Sequence, residues 1–295
     1  MGFDTAYEAI TEETDTGHRW AFGTGFTDPL AGVDTSLPAG IDGADLAAYC
    51  VMLGDDALIL SHRLQQWLAR APELEEETAL ANIALDLLGQ ARLLLTRAGA
   101  AEGSGRTEDD YAFGRGEREF RNVRLAEVTD ADFAGLVARL LVFSTWRLAL
   151  LARLRDSADP VVAAVAAMGV REVAYHRDYA AQWVIRLGDG TDYSRVRMAA
   201  GLAAVAPLVA ELFEPTAVER RLAAARAAVD PAELRAEYDA VLARVLAEAT
   251  LDLPDAPALA RVAGLAGRDG VHTESMGYLL AELQSVARAM PGATW

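Results

Sequence analysis

Residues 73–98, ELEEETALANIALDLLGQARLLLTRA, constrain the fold more than any other stretch. Leu80, Ile83, Ala84, Leu87, Leu88, Ala91 and Leu94 recur at steps of three and four, the spacing that lays a broad apolar stripe along an α-helix. Acids at the front (Glu73, Glu75, Glu76, Glu77) and Arg92 and Arg97 at the back suit the helix dipole, and Pro72 suits the start of the first turn. Asp86 stands inside this stripe, between Leu85 and Leu87. A carboxylate among core residues needs a partner or serves chemistry, so Asp86 is the first candidate site residue.

The rest of the chain has almost no strand signals and repeats the helical pattern. Helices are predicted over 44–70, 73–98, 130–156 and 160–187, with further ones over 192–212, 215–228, 231–249 and 272–289. Four long helices with one extended connection, residues 99–129 between the second and third, give the ferritin-like arrangement. The predicted fold is therefore all-α, a ferritin-like four-helix bundle with additional C-terminal helices, over residues 44–295. Residues 1–43 have no helical period and carry Gly17, Gly23, Gly25, Gly32, Gly40, Pro29 and Pro38. They read as an N-terminal extension, partly ordered at best, which Trp20, Phe22 and Phe26 are suited to dock on a surface.

Composition narrows the function. The net charge of −17 speaks against nucleic acid or an anionic membrane as partner. No apolar run reaches the length of a membrane span; the longest, around the third helix, is interrupted by Arg147. A single cysteine, Cys50, excludes an intrachain disulfide or a cysteine-held metal cluster and suits a reducing cytoplasm; in its apolar surroundings it reads as core. No secretory signal is visible at the N-terminus. All 27 basic residues are arginine, a composition that suits a GC-rich genome.

A ferritin-like bundle raises the question of a di-iron centre, which takes a Glu from each of two helices and a Glu-x-x-His pair from each of the others. The first helix offers Asp56 (or Asp55) and, two turns on, His62. The second offers Asp86, with Gly89 where a histidine belongs. The third has Asp132 only at its start and no carboxylate in its middle. The fourth offers Glu172, followed by Tyr175 in the required position and His176 one step late, about 100° round the helix. A missing carboxylate, a missing histidine and a misplaced one predict no metal. Asp56, His62, Asp86, Glu172 and His176 remain as a degenerate site, read as a buried polar network in the bundle centre. A basic cluster, Arg106, Arg115, Arg118, Arg121 and Arg124, stands in the 99–129 connection. It reads as a solvated loop paired with Asp109, Glu117 and Glu119, or as an anion contact.

The strings LGDDALILSHRLQQW, PELEEETALANIALDLLGQARLLL, EREFRNV, EVAYHRDYAAQWVIRLGDGT and HTESMGYLLAELQSVARAMPGATW resemble the C-subunit family of the phenylacetyl-CoA epoxidase complex, from about Leu53 to Trp295. The resemblance implies a ferritin-like, non-catalytic subunit that pairs with a catalytic A subunit and stabilises it. The di-iron site belongs to that A subunit, and no cofactor is expected in this chain. The complex implied is a bacterial multicomponent monooxygenase of aerobic phenylacetate degradation. It forms the 1,2-epoxide of phenylacetyl-CoA with O₂ and electrons from NADPH, and it also contains a small B subunit and a reductase. By the same resemblance, Glu117, Arg118, Glu119 and Phe120, with Val218, Glu219 and Arg220, are substrate-contact candidates near the CoA moiety. The rival readings are an autonomous ferritin-like di-iron oxidase or oxygenase, and a helical binding or storage protein.

Overall fold

The computed structural model describes residues 30–291 and 293. The chain divides into two compact units, Met1–Val33 and Asp34–Trp295. Of the first, only Leu30–Val33 is described, a turn closed by the Val33 N–H donating to the Leu30 carbonyl at 2.9 Å. Trp20, Phe22 and Phe26 lie outside the described residues. Residues 34–42, part of the glycine-rich stretch, belong to the helical unit: Arg97 donates to the carbonyls of Thr35 at 2.5 Å and Ser36 at 3.1 Å.

In order, the second unit forms α1 (Gly43–Gln65), α2 (Leu74–Glu102), α3 (Glu108–Phe113), α4 (Arg124–Glu127), α5 (Phe133–Leu154), α6 (Pro160–Gly188), α7 (Asp192–Val205), α8 (Ala217–Ala224), α9 (Arg235–Glu248), α10 (Glu274–Leu283) and α11 (Ser285–Ala289). No strand forms among the described residues; Val262 and Leu265 make an isolated bridge. Local chemistry sets the helix starts. The Asp42 carboxylate accepts the N–H groups of Ala44 and Asp45 ahead of α1. Asp159 does the same for α6, with Pro160 in the first turn. Thr191 and Thr216 open α7 and α8 with capping boxes. α2 ends at Gly103, whose φ of 68° is left-handed. Prolines shorten two predicted helices: 192–212 yields α7 followed by 3₁₀ turns around Pro207, and 231–249 begins with a 3₁₀ turn, Pro231–Leu234, before α9. The predicted last helix is broken at Gln284, whose buried side chain donates to the carbonyls of Ala112 and Arg115.

α1 and α2 form one antiparallel hairpin and α5 and α6 a second, joined by the long crossover that holds α3 and α4, so the bundle is ferritin-like. α7 and α9 pack on α5, and α4, α8 and α10 on α1, leaving α1 and α5 almost wholly buried. By length and composition alone, both α2 and α5 are apolar enough to span a membrane, which corrects the reading that no stretch reaches that measure. Burial separates them: 94% of the apolar window of α5 lies inside the protein, against 44% for α2. The apolar character of α5 is therefore that of a central core helix, whereas more than half of the α2 window is not buried by the described residues.

Candidate functional site

The centre of the bundle is polar, and each long helix contributes to it. On α5, Arg147 is fully buried. Its Nε donates to Gln90 Oε1 on α2 at 3.0 Å, and its Nη1 to the Leu53 carbonyl on α1 at 3.3 Å. Gln90 Nε2 in turn donates to Glu172 Oε2 on α6 at 2.8 Å. Gly169 makes that reach possible, since a Cβ there would stand 3.2 Å from Gln90 Nε2. Burial brings the Arg147 guanidinium down to about 10, with the charges of Asp56 and Glu172 pulling the other way, so it remains a cation at neutral pH.

Asp56 on α1 is fully buried and is held from the other side. Arg268 grips it with two bonds, Nη1 to Oδ1 at 3.0 Å and Nη2 to Oδ2 at 2.8 Å, and the Val123 N–H donates to Oδ1 at 2.8 Å. Burial raises the Asp56 carboxyl above its ordinary range against the pull of Arg268, Arg147 and Val123. Arg268 is itself buried, but Asp56, Glu219 and Glu211 hold its pKa above the usual value. Next to Asp56, Asp55 takes both Nη atoms of Arg115 and the N–H of Arg121. These paired acids fasten the crossover and the C-terminal segment to α1.

The five residues of the predicted degenerate site are thus not brought together. Asp86 pairs with His176 at 2.9 Å, but its side chain is 35% exposed, which corrects its reading as a core carboxylate. The physical reason is the turn of α2: Leu85 is 61% exposed and Gly89 is also exposed, so Asp86 lies at the edge of the bundle and Gln90 is the polar residue that points inward. His62 leaves the group altogether. It faces a cavity of about 300 Å³ between α1, α2 and α3, with Glu282 3.8 Å from its Nε2, and burial lowers its pKa. Glu172 and Asp56 have separate partners. Among the described residues, no group of three or more His, Cys, Asp or Glu side chains is placed to hold a metal ion. A di-iron centre needs carboxylates facing the axis from all four helices. Here α5 presents a guanidinium and α2 a carboxamide, and the residues present do not fit that group.

Sequence reasoning misses Gln90 and Arg147. The one local signal is an arginine in the middle of an otherwise apolar helix, RLLVFSTWRLAL, where a buried cation requires a partner. The basic cluster also needs correction. Arg115 pairs with Asp55 and Arg124 with Glu211, both buried and both anchored outside the connection, while Arg106 lies 3.9 Å from Glu102. The Glu119 carboxylate accepts the Gly116 N–H, and only its backbone carbonyl takes an arginine, Arg115 at 3.0 Å. Arg115 and Arg124 thus join elements, whereas Arg121 donates to the Arg118 and Phe120 carbonyls within the connection and Arg118 is exposed.

The substrate-contact candidates fall into two groups. Glu117, Arg118 and Glu119 form a 3₁₀ turn and are exposed, whereas Phe120 is fully buried beneath the Arg115 guanidinium, 4.1 Å from its ring centre. No ion pair among the described residues engages the Arg118 guanidinium. Val218, Glu219 and Arg220 lie in the first turn of α8. Arg220 is exposed, but Glu219 is buried and accepts the Thr216 N–H at 2.8 Å, so it serves as the cap of its helix. No hydrogen bond or ion pair among the described residues joins the two segments directly. Arg268 donates to the Arg121 carbonyl, just beyond the first segment, at 2.7 Å, and the charge of Glu219 helps to raise its pKa.

The family model described as phenylacetic acid catabolic protein matches residues 38–295. A protein of Escherichia coli (strain K12), described as the C subunit of 1,2-phenylacetyl-CoA epoxidase, is 42% identical over 250 residues, covering 85% of this chain and 99% of that protein.

Proposed function

The chain belongs to the phenylacetic acid catabolic protein family, and we propose that it serves there as a non-catalytic structural subunit of a multicomponent phenylacetyl-CoA epoxidase. In this reading it pairs with the di-iron A subunit and holds it in shape, in the cytoplasm, alongside the B subunit and the reductase. The observation that carries the reading is Arg147. A fixed, buried cation at the bundle centre repels a second one, and its partners Gln90 and Leu53 offer no anionic ligand. Of the carboxylates whose charge Arg147 feels, Asp56 is already paired with Arg268 and Glu172 accepts from Gln90. The exposed Arg118 supports a secondary role as a contact for an anionic group of phenylacetyl-CoA at the edge of the pair.

Co-expression with the A subunit of the same epoxidase system tests this. The two chains should co-purify, phenylacetyl-CoA turnover should require both, and iron should follow the A subunit. Roughly two irons per chain bound to this protein alone would establish the autonomous oxidase instead.

A further inference from the structure

Arg118 stands on a turn whose main chain is held carbonyl by carbonyl. Arg121 Nη1 donates to the carbonyls of Arg118 and Phe120, each at 2.7 Å. Arg115 Nη1 donates to the Glu119 carbonyl at 3.0 Å, and His272 Nε2 lies 3.2 Å from that of Phe120. The next residue is fixed at both its backbone groups. The Arg121 N–H donates to Asp55 Oδ2 at 2.8 Å, and the Arg121 carbonyl accepts from Arg268 at 2.7 Å. Surface turns without such bonds sample many conformations.

The C-terminal segment lies against this turn backbone to backbone. Gly267–Asp269 form a 3₁₀ turn that ends at Gly270, whose φ of 78° is left-handed. A Cβ on Gly270 would overlap the Arg118 carbonyl, and one on Gly267 would overlap the Asn122 carbonyl. Glycine on both sides of Arg268 is therefore what lets the two segments close. The side chains of the turn are spent differently. The Glu119 carboxylate accepts the Gly116 N–H at 2.7 Å, and Phe120 is buried. Only the Arg118 guanidinium is left over: it is exposed and makes no hydrogen bond or ion pair among the described residues. An arginine kept for structure spends its guanidinium on its neighbours, as Arg115 does on Asp55 and Arg268 on Asp56.

We propose that Arg121 and Gly270 are positioning residues for Arg118. They fix the turn so that the guanidinium meets an anionic group of the acyl-CoA substrate without first ordering the chain beneath it. This rests on the contact proposed above for Arg118 and names what holds it. Rigid presentation lowers the ordering cost of binding, so the effect falls on KM more than on kcat. The assembled epoxidase complex is assayed with phenylacetyl-CoA, carrying this chain as wild type or variant. The variants are Arg118→Ala, Arg121→Leu, Arg121→Lys, Gly270→Ala and the double variant Arg118→Ala with Arg121→Leu. Arg155→Leu, at an exposed arginine just after α5, is the control for loss of charge. Circular dichroism and urea unfolding check the folding of each chain. Arg118→Ala and Arg121→Leu should each raise KM at least about threefold with a smaller change in kcat, and the control should match wild type. Arg121→Lys should recover part of the loss, because an ammonium can still donate to a carbonyl of the turn. Gly270→Ala should raise KM in the same way, and Arg121→Leu decides the question if that variant does not fold. The double variant should be no worse than Arg118→Ala, because Arg121 acts through Arg118. A raised KM for Arg118→Ala beside wild-type values for Arg121→Leu and Gly270→Ala would overturn the positioning role and leave the contact standing. Losses that add in the double variant would show Arg121 acting on structure alone and overturn it as well. A wild-type KM for Arg118→Ala would overturn the contact itself, and the positioning role with it.

Discussion

Asp55 and Asp86 are both carboxylates on bundle helices, yet burial gives them different consequences. Asp55 is fully buried under two nitrogens of Arg115, so Asp55→Asn leaves an uncompensated guanidinium and should cost about 3–5 kcal/mol in urea unfolding. Asp86 is open to water beside His176, and Asp86→Asn should cost about 1 kcal/mol or less. Two histidines set a pH dependence. His272 is buried with Nδ1 2.7 Å from Glu127 Oε2 and Nε2 3.2 Å from the Phe120 carbonyl, so both nitrogens face acceptors and the bonded form is the imidazolium. Burial lowers its pKa, but the Glu127 bond and charge, the Phe120 carbonyl and the charge of Glu117 outweigh this and raise it above 6.5. Its stabilisation is therefore complete below pH 6.5 and is lost as pH rises through the raised value. Burial lowers the pKa of His62, with the Arg63 charge adding to it and Glu282 opposing, so its contribution grows as pH climbs toward 6.5. Together they place the histidine-dependent stability maximum near pH 6.5, and His272→Gln should remove the decline above it; urea midpoints taken across the pH range check this. None of these partner choices is readable from the sequence. Asp56 and Arg268 are 212 positions apart, and no local pattern announces such a pair.

The helices are readable because their signals are local. Apolar steps of three and four, Asp or Thr caps, Pro160 and the glycine after α2 are all consecutive in the chain, and they place the four long helices within a few residues of their observed ends. Which side of a helix faces inward is harder to read when both sides carry leucine. On α2, Leu80, Ile83, Leu87 and Leu94 are buried while Leu74 and Leu85 are exposed at 72% and 61%. The stripe thus looks broader than the core it serves, and it takes in Asp86. Gly89 belongs to the outer side, and its helix is intact without it. Gly89→Ala should raise the melting temperature of the isolated chain by about 1–3 °C, corresponding to about 0.5–1 kcal/mol. An unchanged or lower melting temperature would show that Gly89 already serves a contact within the chain.

In the helical unit, Asp34–Trp295, the appended segments fasten onto the bundle, and Arg268 is one point where they are fastened. Its guanidinium meets the Asp56 carboxylate and the Met52 carbonyl on α1 and the Arg121 carbonyl on the crossover, while its backbone belongs to the C-terminal segment. Three segments distant in sequence thus share one cation. Paired side chains cross-link the bundle here. Charge balance makes a sharp distinction among variants. Arg268→Met removes the cation and strands the Asp56 carboxylate, and should destabilise by about 3–5 kcal/mol. Replacing both residues, with Asp56→Asn beside Arg268→Met, removes both buried charges together and should cost less than Arg268→Met alone, because no isolated ion remains. Urea unfolding of the two single variants and the double variant measures the coupling. A double variant whose loss equals the sum of the single losses would mean that Asp56 and Arg268 act independently, and that other contacts hold the C-terminal segment to α1.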